Sequence, residues 1–265
     1  DTSFEILMNE TFFGLSAASR LEESPLFVSK DKLKIRDFNF RYSLSAFVFG
    51  NFGHCVEKYV FSHFLSSFSM LRGSMGMNAD VLYKYVSYND ILSKYNGGCI
   101  LCETEIMLEI DHCSFTNIRS EGEGGVLYVR KASLILKSSC FDLCRTALKG
   151  DHYGGNAWNI GRNAIRINDI DITNCWIDSQ CSESICRFLD GEIEIKGKNS
   201  TNCVDNKWGQ DICFVSAINY CYDSFINTFN CSLEHAQCTY QGSGKRITTF
   251  SNIIKCTSRN GLILQ

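Results

Sequence analysis

A motif that returns at a nearly constant interval constrains this chain more than any other feature. A cysteine stands at Cys113, Cys140, Cys175, Cys203, Cys231 and Cys256, with gaps of 27, 35, 28, 28 and 25 residues, and four of the six lie beside an aromatic, apolar or asparagine residue. A second landmark keeps similar time. "GGCI" at Gly97 to Ile100 returns as "GGVL" at Gly124 to Leu127, and a third glycine pair, Gly154-Gly155, follows. Self-similarity at a period of roughly 20–50 residues marks solenoids and propellers, in which no single repeat buries its apolar face alone.

Between the landmarks the pattern is short alternation: "TEIMLEI" from Thr104, "ASLILKS" from Ala132, "AIRINDIDI" from Ala164 and "GEIEIKG" from Gly191. Apolar residues at every second place put one face inward and the other into solvent. A repeat of roughly 25–30 residues is too short for a strand-helix-strand unit, so each repeat holds only strands and turns. The pattern predicts an all-β chain, a right-handed parallel β-helix with coils of roughly 25–30 residues; the alternative is a β-sandwich. Residues 121–144 read as one coil: a glycine-pair turn, the strands "VLYV" and "SLILK", and a corner carrying Cys140 and Cys144. Gly97, Gly98, Gly124, Gly125, Gly154 and Gly155 are the expected coil corners, where a tight turn needs positive φ. The lone proline, Pro25, spares the interior strands a lost N–H donor.

The expected organisation is an N-terminal cap over residues 1–24 and a β-helix over 25–265, with the repeats clearest over 97–260. Residues 25–96 carry looser, aromatic-rich coils. The run "NGLILQ" ends the sequence without a cap signal, so the natural chain is expected to continue, or to be covered by another subunit.

Net charge of −3 without a long Lys/Arg run excludes the electrostatic footprint of a nucleic-acid partner. No stretch reaches the roughly 18 apolar residues of a membrane span. Fifteen cysteines, an odd number, leave at least one outside any intramolecular disulfide. Stacked cysteines in register stand either as free ladder thiols or as bridges between coils. Sequons at Asn9, Asn199 and Asn230 are candidate glycosylation sites and fit a secretory route.

Candidates for chemistry are few. "CILC" places Cys99 and Cys102 three apart, which on a strand sends the thiols to opposite faces, and no second pair of that spacing completes a zinc knuckle. Asp169 and Asp171, with Arg166 near them, are the best carboxylate pair for a carbohydrate-active enzyme. Asp111-His112 and Asp151-His152 lack a nucleophile. "GSGKR" at Gly242 to Arg246 departs from the phosphate-loop spacing and reads as a turn. No catalytic residue, metal or cofactor is expected.

"GGCILC" and "GGVLYV", followed by "DHCSFTN" and "SSCFDLC", and later "ITNCWID" and "STNCVDN", resemble the coils of β-helix surface proteins related to the polymorphic outer membrane proteins, especially the Cys- and Asn-rich versions of trichomonad protists. The FxxN of that family's chlamydial branch does not occur; the shorter Phe-x-Asn does, at Phe49, Phe115, Phe225 and Phe250. The resemblance implies an extracellular or cell-surface, adhesin-like solenoid without catalytic residues. Its partner would be a protein or glycan on a host, matrix or neighbouring subunit. A filament built by head-to-tail self-association is the second expectation, and a polysaccharide lyase or hydrolase the third.

Overall fold

The structure, a computed structural model, describes residues 81–93, 96–103, 105–130, 132–145, 165–175, 191–204, 220–232 and 245–257 with their side chains, and the strands beyond them by backbone pairing alone. Pro25, Asp151, His152, Gly154, Gly155 and the sequon Asn9 lie outside the described residues.

Every described element is a strand, and every pairing is parallel. One sheet has 19 strands and a second has nine, and the chain passes from one to the other within each coil. Around residues 121–144, Ile100–Cys102 and Leu127–Arg130 pair in the nine-stranded sheet, while Met107–Asp111 and Ser133–Lys137 pair in the larger one. The chain is thus a parallel β-solenoid. Within the segment expected to cap it, Phe4–Leu7 and Thr11–Ser16 themselves run parallel to Leu33–Arg36 and Asn39–Ser43.

Coils stack in register, so like positions form columns along the axis. Val81, Leu108, Leu134, Ile165 and Ile193 make one fully buried aliphatic column. Tyr88, Phe115 and Phe141 make another, their rings stacked at 4.9 and 4.6 Å between centroids. Each such buried side chain contributes about 1.5–3 kcal/mol by leaving water. Further along, the columns turn polar: Lys198, Ser200, Asp223, Ser224 and Thr228 are all buried, and Arg246 reaches Asp223 at 3.7 Å. Arg246, expected in a turn, sits in the strand Lys245–Ile254.

Two corners organise the larger sheet. Tyr85, His112, Ser138, Asp169, Gly197, Phe225 and Phe250 all have positive φ, and so do Asp90, Asn117, Leu143, Asn174, Asn202, Asn230 and Lys255, each five residues after its partner in the first set. A left-handed residue breaks the strict alternation of a strand, so two successive side chains face out. In one coil Ile110 points in, Asp111 and His112 point out, and Cys113 points in again. For a non-glycine residue this conformation costs on the order of 1–2 kcal/mol, and Asn and Asp tolerate it best. The second corner uses them in five of its seven coils.

The glycine pairs form a third corner. Gly97 and Gly124 both have a φ of 66°, and the Gly98 N–H donates to Gly124 O at 3.2 Å. A Cβ on Gly98 would stand 2.1 Å from the Gly125 carbonyl oxygen, a backbone atom of the next coil. Only glycine fits so close an approach.

Candidate functional site

The corners change the hydrogen-bond direction of the sheet. At the first corner His112 N–H donates forward to Lys137 O at 3.1 Å, and Cys140 N–H donates backward to Cys113 O at 3.0 Å. The residue between them needs another partner for its backbone, because a buried unmet N–H costs about 1–3 kcal/mol. Cys113 N–H donates to Ser139 Oγ at 3.1 Å, and at the second corner Cys203 N–H donates to Cys231 Sγ at 3.4 Å.

This explains the cysteines. Cys144, Cys175, Cys203, Cys231 and Cys256 follow the second corner in five successive coils and form one inward column, with Ile91 and Ile118 continuing it toward the N-terminus. Each thiol donates to the carbonyl two residues earlier and to one in the preceding coil, as with Cys144 to Asp142 O at 3.3 Å and Phe115 O at 3.4 Å. Cys231 repeats this with Phe229 O at 3.3 Å and Ser200 O at 3.7 Å. Of the expected ladder, Cys175, Cys203, Cys231 and Cys256 share the column. Cys113 follows the first corner instead, and Cys140 faces outward and is exposed; Cys144 takes its place.

All ten described cysteines are free thiols. Burial pushes Cys113 up to about 12, and burial likewise raises Cys99 far above the ordinary thiol range. The side-chain hydrogen bond that Cys175 shares with Cys144 raises Cys175, as the one with Cys203 raises Cys231, because each favours the protonated thiol. These are protonated, packed donors rather than nucleophiles. Cys99 and Cys102 are both buried in and beside the strand Ile100–Cys102, whose residues are buried on both faces. Among the described residues no group of three His, Cys, Asp or Glu side chains converges as a metal site.

Between the corners the outward side chains form a second kind of column, which inspection of the sequence missed. Asn252 Nδ2 donates to Asn227 Oδ1 at 2.9 Å, Asn227 to Asn199 at 2.8 Å, and Asn199 to the Asp171 carboxylate at 2.8 Å. At the second corner Asn230 donates to Asn202 at 2.7 Å, Asn202 to Asn174 at 3.3 Å, and Asn174 to Asp142 at 2.9 Å. Both ladders run one way and end on an acceptor-only carboxylate. Asn117 to Asp90 at 2.7 Å and Ser114 to Ser87 at 2.8 Å extend the same face toward the N-terminus. The signal in the sequence was Asn-Cys, at Asn174-Cys175, Asn202-Cys203 and Asn230-Cys231.

Two of the sequons therefore sit in the ladders, with the amide nitrogens of Asn199 and Asn230 already donating. The best carboxylate pair is divided as well. Asp171 is the end of one ladder, Asp169 is a left-handed corner residue, and Arg166 extends to Glu194 in the next coil at 3.9 Å.

At the C-terminal end of this face stand exposed aromatics. Phe225 and Phe250, successive residues of the first corner, stack at 5.1 Å, and Phe225 is 58% exposed. Phe229 and Ile254, register partners across the Asn227–Asn252 rung, are also exposed, with Lys255 over the Phe229 ring at 5.5 Å. The strand face before the first corner differs: it carries ion pairs, Lys84 with Asp111 at 3.5 Å and Lys137 with Glu109 at 2.9 Å. Asp111 also accepts from His112 Nδ1 at 2.6 Å, and the His112 ring lies 5.0 Å from that of Tyr85.

No family model matches this chain, and no curated protein matches it. A solved structure of PfbA, a surface adhesin of Streptococcus pneumoniae, is similar at 9% identity over 87% of this chain and 85% of that one, with a TM-score of 0.22. A likeness of that size carries no argument. Among the described residues no helix is long and apolar enough to cross a membrane.

Proposed function

We propose that this protein is a non-enzymatic binding module of the cell surface or extracellular space, adhering to a host, matrix or neighbouring molecule through the face between its two corners. The observation that carries this reading is the exposed Phe225–Phe250 pair beside a continuous amide ladder. Exposed apolar clusters rimmed by polar groups mark interaction surfaces on soluble proteins, and a solenoid supplies a long rigid face for them. The motif resemblance to polymorphic outer membrane protein-like surface proteins of trichomonads belongs to this proposal and rests on the glycine-pair and Asn-Cys motifs alone.

Retention of protein-coated beads on intact cells and on extracellular matrix tests it. Beads carrying the wild-type chain should be retained well above albumin-coated beads, and a Phe225→Ala/Phe250→Ala variant should lose most of that excess. Retention at the albumin level on every surface would remove the adhesion reading.

A further inference from the structure

We infer that the ligand of this face is a neutral, extended, β-linked hexose polysaccharide lying along the solenoid axis over the Asn199–Asn227–Asn252 ladder and against the Phe225–Phe250 pair, an assignment that rests on the adhesion reading above.

Hydrogen-bond capacity comes first. Asn199 and Asn227 each spend one amide N–H on the preceding rung and one oxygen lone pair on the next, which leaves each of them a second N–H and a second lone pair. A sugar hydroxyl both donates and accepts, so it matches that pair, whereas a carboxylate or sulfate only accepts. Charge points the same way. The Asn199–Asn227–Asn252 ladder ends on the Asp171 carboxylate, and the nearest cations, Lys196 and Lys255, stand at its two edges. An anionic glycan would meet that carboxylate at the end of the ladder and no cation within it.

Periodicity is the third argument. Rungs repeat at the strand spacing of about 4.8 Å, close to the residue repeat of an extended β-1,4-linked chain, so successive sugars can make equivalent contacts with successive coils. The aromatic pair supplies the apolar part. Phe225 and Phe250 are held by left-handed backbone in adjacent coils and stack on each other with rings 7° from parallel, so the pair presents a preformed apolar edge to a chain lying along the axis. Little side-chain entropy is lost when such rings are covered.

The test titrates cellohexaose, chitohexaose and a hyaluronan hexasaccharide into the whole chain by calorimetry and ligand-observed NMR. At least one neutral hexasaccharide should bind saturably with micromolar to millimolar Kd, hyaluronan should not, and Phe225→Ala/Phe250→Ala should weaken binding about tenfold. Both side chains are exposed, so an unchanged melting temperature verifies that the variant is folded. Lys137→Ala, on the ion-paired face, should bind as wild type. Absence of saturable binding by either neutral sugar overturns the inference, as does equal binding by the double alanine variant. Light scattering that shows a dimer abolished by that variant would assign the patch to a second copy and overturn it too. Beads that adhere yet ignore millimolar competing sugar sink this inference and leave adhesion standing. Beads that do not adhere sink the adhesion reading, and the titration alone then decides the ligand.

Discussion

The backbone N–H of Cys203 donates to the sulfur of Cys231, 28 residues later and one coil above, at 3.4 Å. That sulfur in turn donates to Phe229 O at 3.3 Å. One thiol thereby joins two coils at the corner where the backbone hydrogen-bond pattern shifts by one residue, and the same thiol-to-carbonyl contacts recur down the column of Cys144, Cys175, Cys203, Cys231 and Cys256.

Removing that joint has a chemical signature. Cys231→Val keeps the volume and leaves the Cys203 N–H unmet, so it should cost about 1–3 kcal/mol. Cys231→Ser should cost less than half as much, because Ser139 already fills the equivalent place after the first corner, accepting from Cys113 N–H at 3.1 Å. Urea denaturation of the two variants separates them; serine proving as costly as valine would mean that packing, not the donor, is what the cysteine supplies.

Leu143 is the one apolar residue among the left-handed positions of the second corner, and it interrupts the asparagine column between Asn117 and Asn174. Leu143→Asn relieves an unfavourable backbone and offers a rung to both neighbours. It should stabilise the protein by about 1 kcal/mol, read as a higher melting temperature. A lower one would show that the leucine packs in a way the column does not reveal.

Gly98→Ala should be the most damaging single methyl. Its Cβ meets the Gly125 carbonyl at 2.1 Å, a contact that no rotamer change can relieve. We expect a loss of about 2–4 kcal/mol or failure to fold, measured by thermal denaturation and soluble yield. A melting temperature within error of wild type would place the coils farther apart there.

The buried thiols set the alkaline limit. Cys113 titrates at about 12 in the folded chain against an ordinary 9.0, and Cys99, Cys175 and Cys231 are raised as well. Above pH 9 the unfolded chain loses thiol protons that the folded chain keeps, so their contribution is complete below pH 9 and declines as pH rises toward the folded values. Each such thiol removes up to about 1.4 kcal/mol per pH unit in that window. Urea midpoints should hold between pH 7 and 8.5 and fall steeply from 9 to 11; a flat profile would mean that the thiols are exposed.

Much of this architecture was legible because solenoid coils repeat chemistry as well as shape. The glycine pairs marked a corner, and the alternating runs marked strands. What misled was spacing taken alone, because Cys140 keeps the period of the landmark cysteines without sharing their face. Cys140 stands two residues after left-handed Ser138 and therefore faces out, while Cys144, just after Leu143, faces in. Parity counted from the wrong side of a left-handed residue gives the opposite face. The ladders were hidden for a related reason. Asn199 and Asn230 first read as sequons, and only the register between distant strands shows that their amides are bonded to residues 28 positions away. Phe-x-Asn was likewise ambiguous. At Phe225 and Phe250 the ring lies on the outer corner, whereas at Phe115 it is buried in the core stack.

The register of that outer face is the centre of the account, and a pair of double-mutant cycles tests it most directly. Asn199 and Asn227 are 28 residues apart and adjacent in one ladder; Asn199 and Asn202 are three apart and belong to different ladders. Urea denaturation of the single and double alanine variants should give a coupling of about 0.5–1.5 kcal/mol for Asn199 with Asn227, and within about 0.3 kcal/mol of zero for Asn199 with Asn202. Zero coupling for the first pair, or the larger value for the second, would contradict the stacked register on which the face and its ligand depend.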